Sequence, residues 1–368
     1  MDPRCKVLLA CDFHYRYSAN LTGGIARAGA AATLLSRDHD LEFGSVPGAA
    51  KGFAEAAIGD ASHWRLHGRP RSPQSWLEAL RLRRRARRLD PSVVHVQSSI
   101  GNDPRMAIAS GLRRGRFAVT IHDPSPHPGE TSHWRDDLED KLLMRHAGLI
   151  FVHGEALREE LIERFRPPAP VVVVPHGVAV GEATPVPAAP RLLFFGRISK
   201  YKGVDVLLDA MDAVWKAVPE AEVTIAGSGE LDPHPALADP RVTLDNGYIA
   251  DSALPGLFEA CRGVVLPYRQ ASQSGVGSMV KPYGRPLVVT DVGGLPELVG
   301  DGSGLVAPSE DPAALATALI RVLEDDELAA GLARAGVDTA AREGSWDRVG
   351  ELTLAAYREH LGVCRCGS

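Results

Sequence analysis

Short, nearly continuous runs of aliphatic residues dominate the hydrophobic pattern of this chain, and amphipathic stretches lie between many of them. Aliphatic runs without polar alternation are typical of strands that are buried on both faces of a sheet. Helical patterns separate several runs, for example Val204–Val218 and Ala253–Ala260. The alternation predicts an α/β protein with parallel sheets covered by helices. The predicted strands are Lys6–Ala10, Ser92–Val96, Phe117–Ile121, Leu149–Val152, Val171–Val174, Leu192–Phe195, Val223–Ala226, Val242–Leu244, Gly263–Leu266 and Leu287–Thr290.

A stretch with three prolines and no strong periodicity, Val178–Pro190, interrupts this pattern near the middle of the chain. Such composition is typical of a linker, and 368 residues suit about two domains. We therefore predict two doubly wound domains, at residues 1–178 and 179–345, with a cleft between them. The last stretch, 346–368, contains the amphipathic pattern Trp346–Leu361, which predicts a helix that can pack on either domain.

Charge and cysteine content narrow the functional class. The 41 Lys and Arg residues against 46 Asp and Glu residues give a net charge of −5, which argues against a nucleic-acid-binding protein. The five cysteines are too few and too scattered for a disulfide scaffold, and no run approaches the ~18 apolar residues of a membrane helix. Together with the absence of a secretion leader, these features predict a soluble cytoplasmic protein.

Ligands of doubly wound sheets bind beyond the carboxyl ends of the strands, so residues that directly follow the apolar runs are the candidates. After the first run, Gly23 and Gly24 are predicted to open a helix over Ile25–Ser36. Adjacent glycines there let a diphosphate approach backbone amides at a helix N-terminus. A tight loop without a ligand is the alternative interpretation.

A more specific pattern follows the run Leu192–Phe195. The segment Gly196–Gly203 contains Arg197 and Lys202, five residues apart across one short loop that leads into the next helix. Two cations in such a loop can converge on the cleft and hold an anion. Solvated surface cations are the alternative.

Six segments form an ordered set of motifs along the chain. They are Val173–Val178, Gly196–Gly203, Ala226–Glu230, Thr290–Leu298, Asp301–Val306 and the helix that starts at Trp346. Taken together, these motifs resemble the retaining, nucleotide-sugar-dependent glycosyltransferases of family 4, whose fold is the two-Rossmann-domain arrangement called GT-B. The resemblance covers nearly the whole chain and implies that the final helix crosses back onto the first domain.

The resemblance implies a hexosyltransferase that moves a sugar from a nucleoside diphosphate to a glycan, a lipid or a small metabolite, with retention at the anomeric carbon and without a cofactor or catalytic metal. Arg197 and Lys202 are expected to bind the donor diphosphate and to offset charge on the departing nucleotide. Backbone or polar groups of a further set of residues are expected to bind the donor. These are Gly23, Gly24, Gly227, Gln273, Ser274, Gly275 and Val276.

The chain departs from the family at two positions. Members commonly carry two glutamates eight residues apart, the second of which holds the nucleotide ribose, and here these places are taken by Ala271 and Met279. The segment resembles instead a branch with the sequence Gln-Ser-Gly in this region. We interpret the change as altered handling of the donor, because both cations are retained.

A second dense cluster begins at His122, directly after the run Phe117–Ile121. The resemblance matches His122 to a histidine that contacts the donor sugar near the reacting carbon, and an imidazole there can donate a hydrogen bond or help move the acceptor proton. His127, Glu130 and His133 are candidates for the acceptor pocket. The same cluster also permits a metal site, because histidine and carboxylate side chains ligate zinc or iron.

The arginine-rich strip Arg81–Arg88 precedes one of the predicted strands. Helices at this place in the family can contact membranes, and arginines favour anionic lipid, so weak membrane-surface contact is a further hypothesis. Two other functions compete with sugar transfer. One is a two-lobed sugar-binding protein without catalysis, and the other is a metal-dependent hydrolase that uses the His122 cluster.

Overall fold

The backbone forms two parallel sheets, each in its own structural unit. The structure is a computed structural model that describes residues 5–37, 41–43, 48–68, 72–98, 103–111, 117–123, 134–178, 183–271 and 274–363. Among these residues, the first unit combines the chain up to Gly177 with the segment that starts at Trp346. The second unit is Val178–Ser345.

The first unit contains a seven-stranded sheet in the order β3-β2-β1-β4-β5-β6-β7, with every neighbouring pair parallel. Its strands are β1 (Lys6–Cys11), β2 (Ala31–Arg37), β3 (Ser62–Leu66), β4 (Val93–Gln97), β5 (Phe117–Thr120), β6 (Leu149–Val152) and β7 (Val171–Val173). Its helices are α1 (Tyr15–Arg27), α2 (Ala49–Ile58), α3 (Pro73–Leu89), α4 (Pro104–Ser110), α5 (Trp134–His146), α6 (Glu155–Phe165) and, at the end of the chain, α13 (Trp346–Leu361).

The second unit repeats the same winding with six parallel strands in the order β10-β9-β8-β11-β12-β13. The strands are β8 (Arg191–Phe195), β9 (Glu222–Ala226), β10 (Val242–Asp245), β11 (Gly263–Leu266), β12 (Leu287–Thr290) and β13 (Gly304–Ala307). The helices are α7 (Val204–Ala217), α8 (Leu254–Ala260), α9 (Gly275–Val280), α10 (Leu295–Val299), α11 (Pro312–Glu324) and α12 (Asp326–Glu343).

Both sheets confirm the predicted α/β fold class. Each of the ten strands predicted from aliphatic runs is present, and several inner strands, such as β4 and β11, are buried along their whole length. The order 3-2-1-4-5-6 is that of dinucleotide-binding folds, in which the strand order reverses between the first and fourth strands. This reversal places a ligand-binding edge beside β1 and β4 in the first sheet and beside β8 and β11 in the second.

Helix α3 shows why the arginine-rich strip is helical. Ser75, Ala79, Leu82 and Ala86 recur at helical spacing and are buried. The arginines of the strip are therefore exposed, except for Arg83, which is half-buried. No helix in the described part of the chain is long and apolar enough to cross a bilayer. Cys5 is disulfide-bonded, which does not support the cytoplasmic location predicted in part from the cysteine content, and that location stays a prediction.

Glycines let α1, α2 and α13 approach one another closely. A Cβ atom at Gly24 would lie 2.0 Å from the carbonyl oxygen of Trp346, and one at Gly350 would lie 2.3 Å from the carbonyl carbon of Gly24. Gly23 meets α2 in the same way, at 2.1 Å from the carbonyl oxygen of Ala57. Real Cβ atoms do not approach backbone this closely, so the three helices require glycine at these positions.

A buried histidine also joins α13 to the first sheet. His95 on β4 places its Nδ1 2.6 Å from Tyr357 Oη and its Nε2 2.7 Å from Thr120 Oγ1. Its ring stacks on Phe151. Burial lowers the pKa of His95 to about 3, so the imidazole is neutral at physiological pH.

The glycine contacts predict that Gly24→Ala destabilises the protein by about 1–3 kcal/mol, as overpacking of a well-filled site does. Gly52→Ala is the matched control, because Gly52 lies in α2 and a Cβ there would meet nothing within 4 Å. The control should be neutral or more stable than the wild type. Urea unfolding measures both variants, and equal stabilities would contradict the close-packing role of Gly24.

The buried His95 predicts acid instability with a defined sign. Its folded pKa is below the unfolded value, so between about pH 6.5 and pH 3 the unfolded state binds a proton that the folded state does not, and stability falls as pH falls. His95→Gln should remove about one proton from the uptake that accompanies unfolding. Tyr357→Phe should lower stability but keep that proton. The free energy of unfolding is measured from pH 7 to pH 4. If its slope against pH is the same in His95→Gln as in the wild type, the proton does not belong to His95.

Candidate active site

The predicted loop Gly196–Gly203, here called the cation loop, lies where the strand order of the second sheet reverses. Strand β8 is the central strand, with β9 on one side and β11 on the other, and it ends at Phe195. Arg197 and Lys202 follow in the loop that leads to α7, whose first residue is Val204. The sequence prediction thus places both cations at the edge where doubly wound sheets bind ligands.

Glycines let the neighbouring loops pack against this loop through their backbones. Ile198 pairs with Gly229, and its amide donates to the carbonyl oxygen of Ser228 (2.9 Å). Gly227 has φ 145°, and a Cβ there would lie 1.9 Å from the carbonyl oxygen of Gly196. Gly227 therefore supports the cation loop from the β9 side, and its predicted contact with the donor stays a prediction.

Each cation donates a hydrogen bond to a tyrosine. Arg197 Nη2 donates to Tyr201 Oη (3.1 Å), and Lys202 Nζ donates to Tyr268 Oη (2.9 Å). Lys202 Nζ also lies 4.1 Å from the centre of the Tyr268 ring. Tyr268 is buried, and burial raises its pKa to about 12. The phenol is therefore neutral at physiological pH and does not cancel the charge of the lysine.

Ser274, which precedes α9, and the first residues of α9 also lie close to Tyr268 and the cation loop. Ser274 Oγ lies 3.4 Å from Tyr268 Oη and accepts a hydrogen bond from the amide of Gly277 (3.2 Å). Gly275 is the first residue of α9. A Cβ at Gly196 would lie 3.4 Å from Val276 Cγ2, so Val276 is next to the start of the cation loop. The structure thus gathers the predicted Ser274, Gly275 and Val276 around the cation loop.

A cavity of about 440 Å³ adjoins the outer side of the same loop. Apolar side chains and several charged groups line it, and these include Tyr201, Leu231, Glu230, Asp205 and Arg269. Two hydrogen bonds of 2.8 Å join Arg269 to Asp205, and they lower the pKa of that carboxyl group. This ion pair forms part of the cavity wall, and Arg269 also donates to the carbonyl oxygen of Lys200 in the cation loop.

In the first unit, His122 lies two residues beyond the end of β5, close to the strand end at which the sequence placed it, and its side chain is buried. Its Nε2 lies 2.8 Å from Gln97 Oε1, and its ring stacks on His14 with centres 3.8 Å apart. Burial lowers the pKa of His122 well below its usual value, and the neighbouring histidines lower it further. A neutral imidazole suits hydrogen bonding better than proton donation at physiological pH.

Sequence analysis missed three histidines that belong to this group. His14, His153 and His176 each follow a strand of the first sheet within three residues, and the rings of His153 and His176 contact Tyr17, as does the ring of His122. Burial also lowers the pKa of His153 to about 3. The signal was present, because each of these histidines closely follows an aliphatic run or its continuation.

The prediction that Gly23 and Gly24 lie at a helix N-terminus is wrong. Helix α1 starts at Tyr15, and both glycines lie inside it with their amides directed to the preceding turn. The start of α1 is already capped by Glu42, whose carboxylate accepts from the amides of Tyr15 (2.6 Å) and Arg16 (3.1 Å). The glycines therefore serve helix packing and do not present amides to a diphosphate, and the predicted helix Ile25–Ser36 ends at Arg27 and gives way to β2.

Four candidates lie outside the described residues: His127, Glu130, His133 and Gln273. Within the described residues, no three His, Cys, Asp or Glu side chains are grouped so that they could hold a metal ion. The structure therefore brings together the donor-side candidates in the second unit and His122 with its histidine neighbours in the first.

Two family models match consecutive parts of the chain. The model described as Glycosyltransferase Family 4 matches residues 16–182, and the model described as Glycosyl transferases group 1 matches residues 189–325. The second match contains the cation loop and the Ser274–Val276 segment.

Curated relatives include glycogen synthase of Mycobacterium tuberculosis, which is 26% identical over 73% of this chain and 68% of its own length. The GDP-mannose:glycolipid 4-beta-D-mannosyltransferase of Xanthomonas campestris is 29% identical over 66% of this chain and 68% of its own length. The D-inositol 3-phosphate glycosyltransferase of Actinosynnema mirum is 33% identical over 54% of each chain.

Solved structures share the fold over almost the whole chain. Sucrose-phosphate synthase from Thermosynechococcus elongatus superposes with a TM-score of 0.73, at 18% identity over 97% of this chain and 99% of the other. Anabaena HepE in complex with UDP and glucose superposes with a TM-score of 0.69, at 16% identity over 97% of this chain and 99% of the other. The solved structures and the two parallel sheets show the GT-B fold. The two family models, which match residues 16–182 and 189–325, show that the chain is a glycosyltransferase of the family 4 type.

Proposed function

We propose that this glycosyltransferase moves a sugar from a nucleoside diphosphate to an acceptor hydroxyl, with retention at the anomeric carbon and without a catalytic metal. The observation that carries the proposal is that Arg197 and Lys202 lie on one short loop, at the point where the strand order of the second sheet reverses. Relatives support the donor class, since one is named for GDP-mannose and one solved neighbour holds UDP and glucose.

The chemical demand on the site is charge stabilisation. As the bond between the anomeric carbon and the phosphate oxygen breaks, negative charge grows on the departing diphosphate. The guanidinium of Arg197 and the ammonium of Lys202 offset this charge, which is the role that a metal ion plays elsewhere. The acceptor oxygen bonds to the face that the diphosphate leaves, and its proton passes to the departing phosphate oxygen.

His122 orients the sugar in this proposal. Its neutral ring is held from one side by Gln97, and the stack with His14 fixes the ring plane. A neutral imidazole in a fixed plane donates or accepts one directed hydrogen bond, which suits a sugar hydroxyl near the reacting carbon. His127, Glu130 and His133 remain candidates for contacting the acceptor, which belongs to the class of glycans, lipids or small metabolites.

The donor ribose is held without the usual carboxylates. At the places of the two family glutamates, Ala271 and Met279 are apolar side chains that pack against the hydrophobic core of the second unit. The carbonyl of Ala271 lies against Gly293, where a Cβ would be 1.5 Å from its oxygen. We assign the chain on this basis to the branch with Gln-Ser-Gly in this region.

A surface contact with membranes is the second part of the proposal. On α3, Trp76, Leu77 and Leu80 are exposed, and Arg84, Arg87 and Arg88 are exposed further along the same helix. Apolar side chains followed by clustered arginines are typical of helices that lie on anionic lipid. The enzyme would then work at the cytoplasmic face of a membrane.

We predict that Lys202→Ala lowers kcat/KM by at least ~10-fold, because one of the two positive charges at the departing diphosphate is lost. Lys216→Ala is the matched control, since Lys216 is exposed in the last turn of the helix that Lys202 precedes. Turnover is measured with a panel of UDP, GDP, ADP and dTDP sugars in EDTA, and the product anomer is assigned by proton NMR. Unchanged turnover in Lys202→Ala, inversion, or loss of wild-type activity in EDTA would each contradict the corresponding part of the proposal.

For α3, we predict that replacing Arg84, Arg87 and Arg88 by Glu abolishes co-sedimentation with vesicles that contain anionic lipid. Each arginine near such a surface contributes about 1 kcal/mol. The control carries the same charge change at Arg334, Arg342 and Arg348, which are exposed outside α3. If both triple variants bind the vesicles equally well, or if the wild type does not bind them at low salt, the proposed membrane contact is wrong.

A further inference from the structure

Two tyrosines hold the two cations of the site. Tyr201 lies inside the cation loop and accepts from Arg197, whereas Tyr268 comes from the segment after β11 and accepts from Lys202. The second contact joins residues that are 66 positions apart in the sequence. A long, flexible lysine side chain loses little mobility unless such a partner fixes its end.

Tyr268 itself is held at both ends. Its hydroxyl lies 3.4 Å from Ser274 Oγ, and its side chain is buried. Its carbonyl oxygen accepts from Thr290 Oγ1 (2.6 Å) and from Ser309 Oγ (3.1 Å). The phenol therefore has a fixed position that is independent of the lysine.

The backbone on each side of Tyr268 is also joined to the cation loop. The amide of Arg269 donates to the carbonyl oxygen of Tyr201 (2.7 Å), and the Arg269 guanidinium donates to the carbonyl oxygen of Lys200 (2.8 Å). On the other side, a Cβ at Gly203 would lie 1.9 Å from the carbonyl oxygen of Pro267. The segment from Pro267 to Arg269 thus forms a rigid support under the loop.

We propose that Tyr268 is a positioning residue for Lys202: its hydroxyl fixes the ammonium group where the departing diphosphate forms. This inference rests on the proposed function. The hydroxyl accepts a hydrogen bond from one N–H group of the ammonium and so fixes the position of the charge. A neutral partner fixes the lysine without adding a negative charge that would repel the diphosphate.

Tyr268→Phe tests the inference, because it removes the hydroxyl and keeps the buried ring. We expect kcat to fall about tenfold, the effect of losing a hydrogen bond to a charged group, while KM for the acceptor stays unchanged. In the Lys202→Ala background the same substitution should have no further effect, within about twofold, because the group on which it acts is gone. Tyr283→Phe is the control, since Tyr283 lies in the same unit and packs against Phe258. Thermal unfolding confirms that each variant folds.

The outcomes separate the inference from the proposed function. Wild-type kcat in Tyr268→Phe, or equal losses in the presence and absence of Lys202, would overturn the positioning role while Lys202→Ala still lowers activity. If Lys202→Ala itself turned over like the wild type with every donor of the panel, the proposed function of the cation loop would fail, and the inference with it.

Discussion

Backbone contact between loops at the carboxyl edge of the second sheet is the constraint on which the site depends. Gly203 against Pro267 and Gly227 against Gly196 bring the loops after β8, β9 and β11 within van der Waals distance of one another. No other residue fits there, because a Cβ would lie about 1.9 Å from a carbonyl oxygen. This packing fixes the loop that carries Arg197 and Lys202, and a fixed loop can hold two positive charges against their repulsion. Charge stabilisation in the transition state needs such preorganisation.

The same fold carries different chemistry on its two sheets. The second sheet presents cations that are held by phenols, whereas the first presents neutral histidines that are packed around Tyr17. In the proposed reaction the cations bind the diphosphate, and a neutral imidazole forms a directed hydrogen bond with a sugar hydroxyl. Burial fits His122 for this role, because it lowers the pKa of the imidazole well below its usual value and keeps the ring neutral.

The fold class and the cation loop could be predicted from the sequence. Buried parallel strands are nearly continuous aliphatic runs, and cations next to glycines stand out in the loop that follows one of them. Three strands, β2, β3 and β13, were missed, and β2 was assigned to the predicted helix Ile25–Ser36. Strands β3 and β13 are edge strands, and β3 contains Ser62, His63 and Arg65, so its pattern is not aliphatic. The α1 glycines were misassigned because glycine pairs serve both phosphate loops and close helix crossings, and only the position of Trp346 distinguishes the two. Tyr268 was missed because an uncharged residue at the end of a strand has no signal until its partner 66 residues away is known.

A crystal structure with a bound nucleoside diphosphate is the most direct test of the central claim. UDP and GDP are the probes, soaked or co-crystallised with the full chain. The account predicts phosphate oxygens within about 3 Å of Arg197 Nη and Lys202 Nζ, with Lys202 still donating to Tyr268 Oη. A diphosphate bound away from both side chains, with the loop after β8 unchanged, would contradict it.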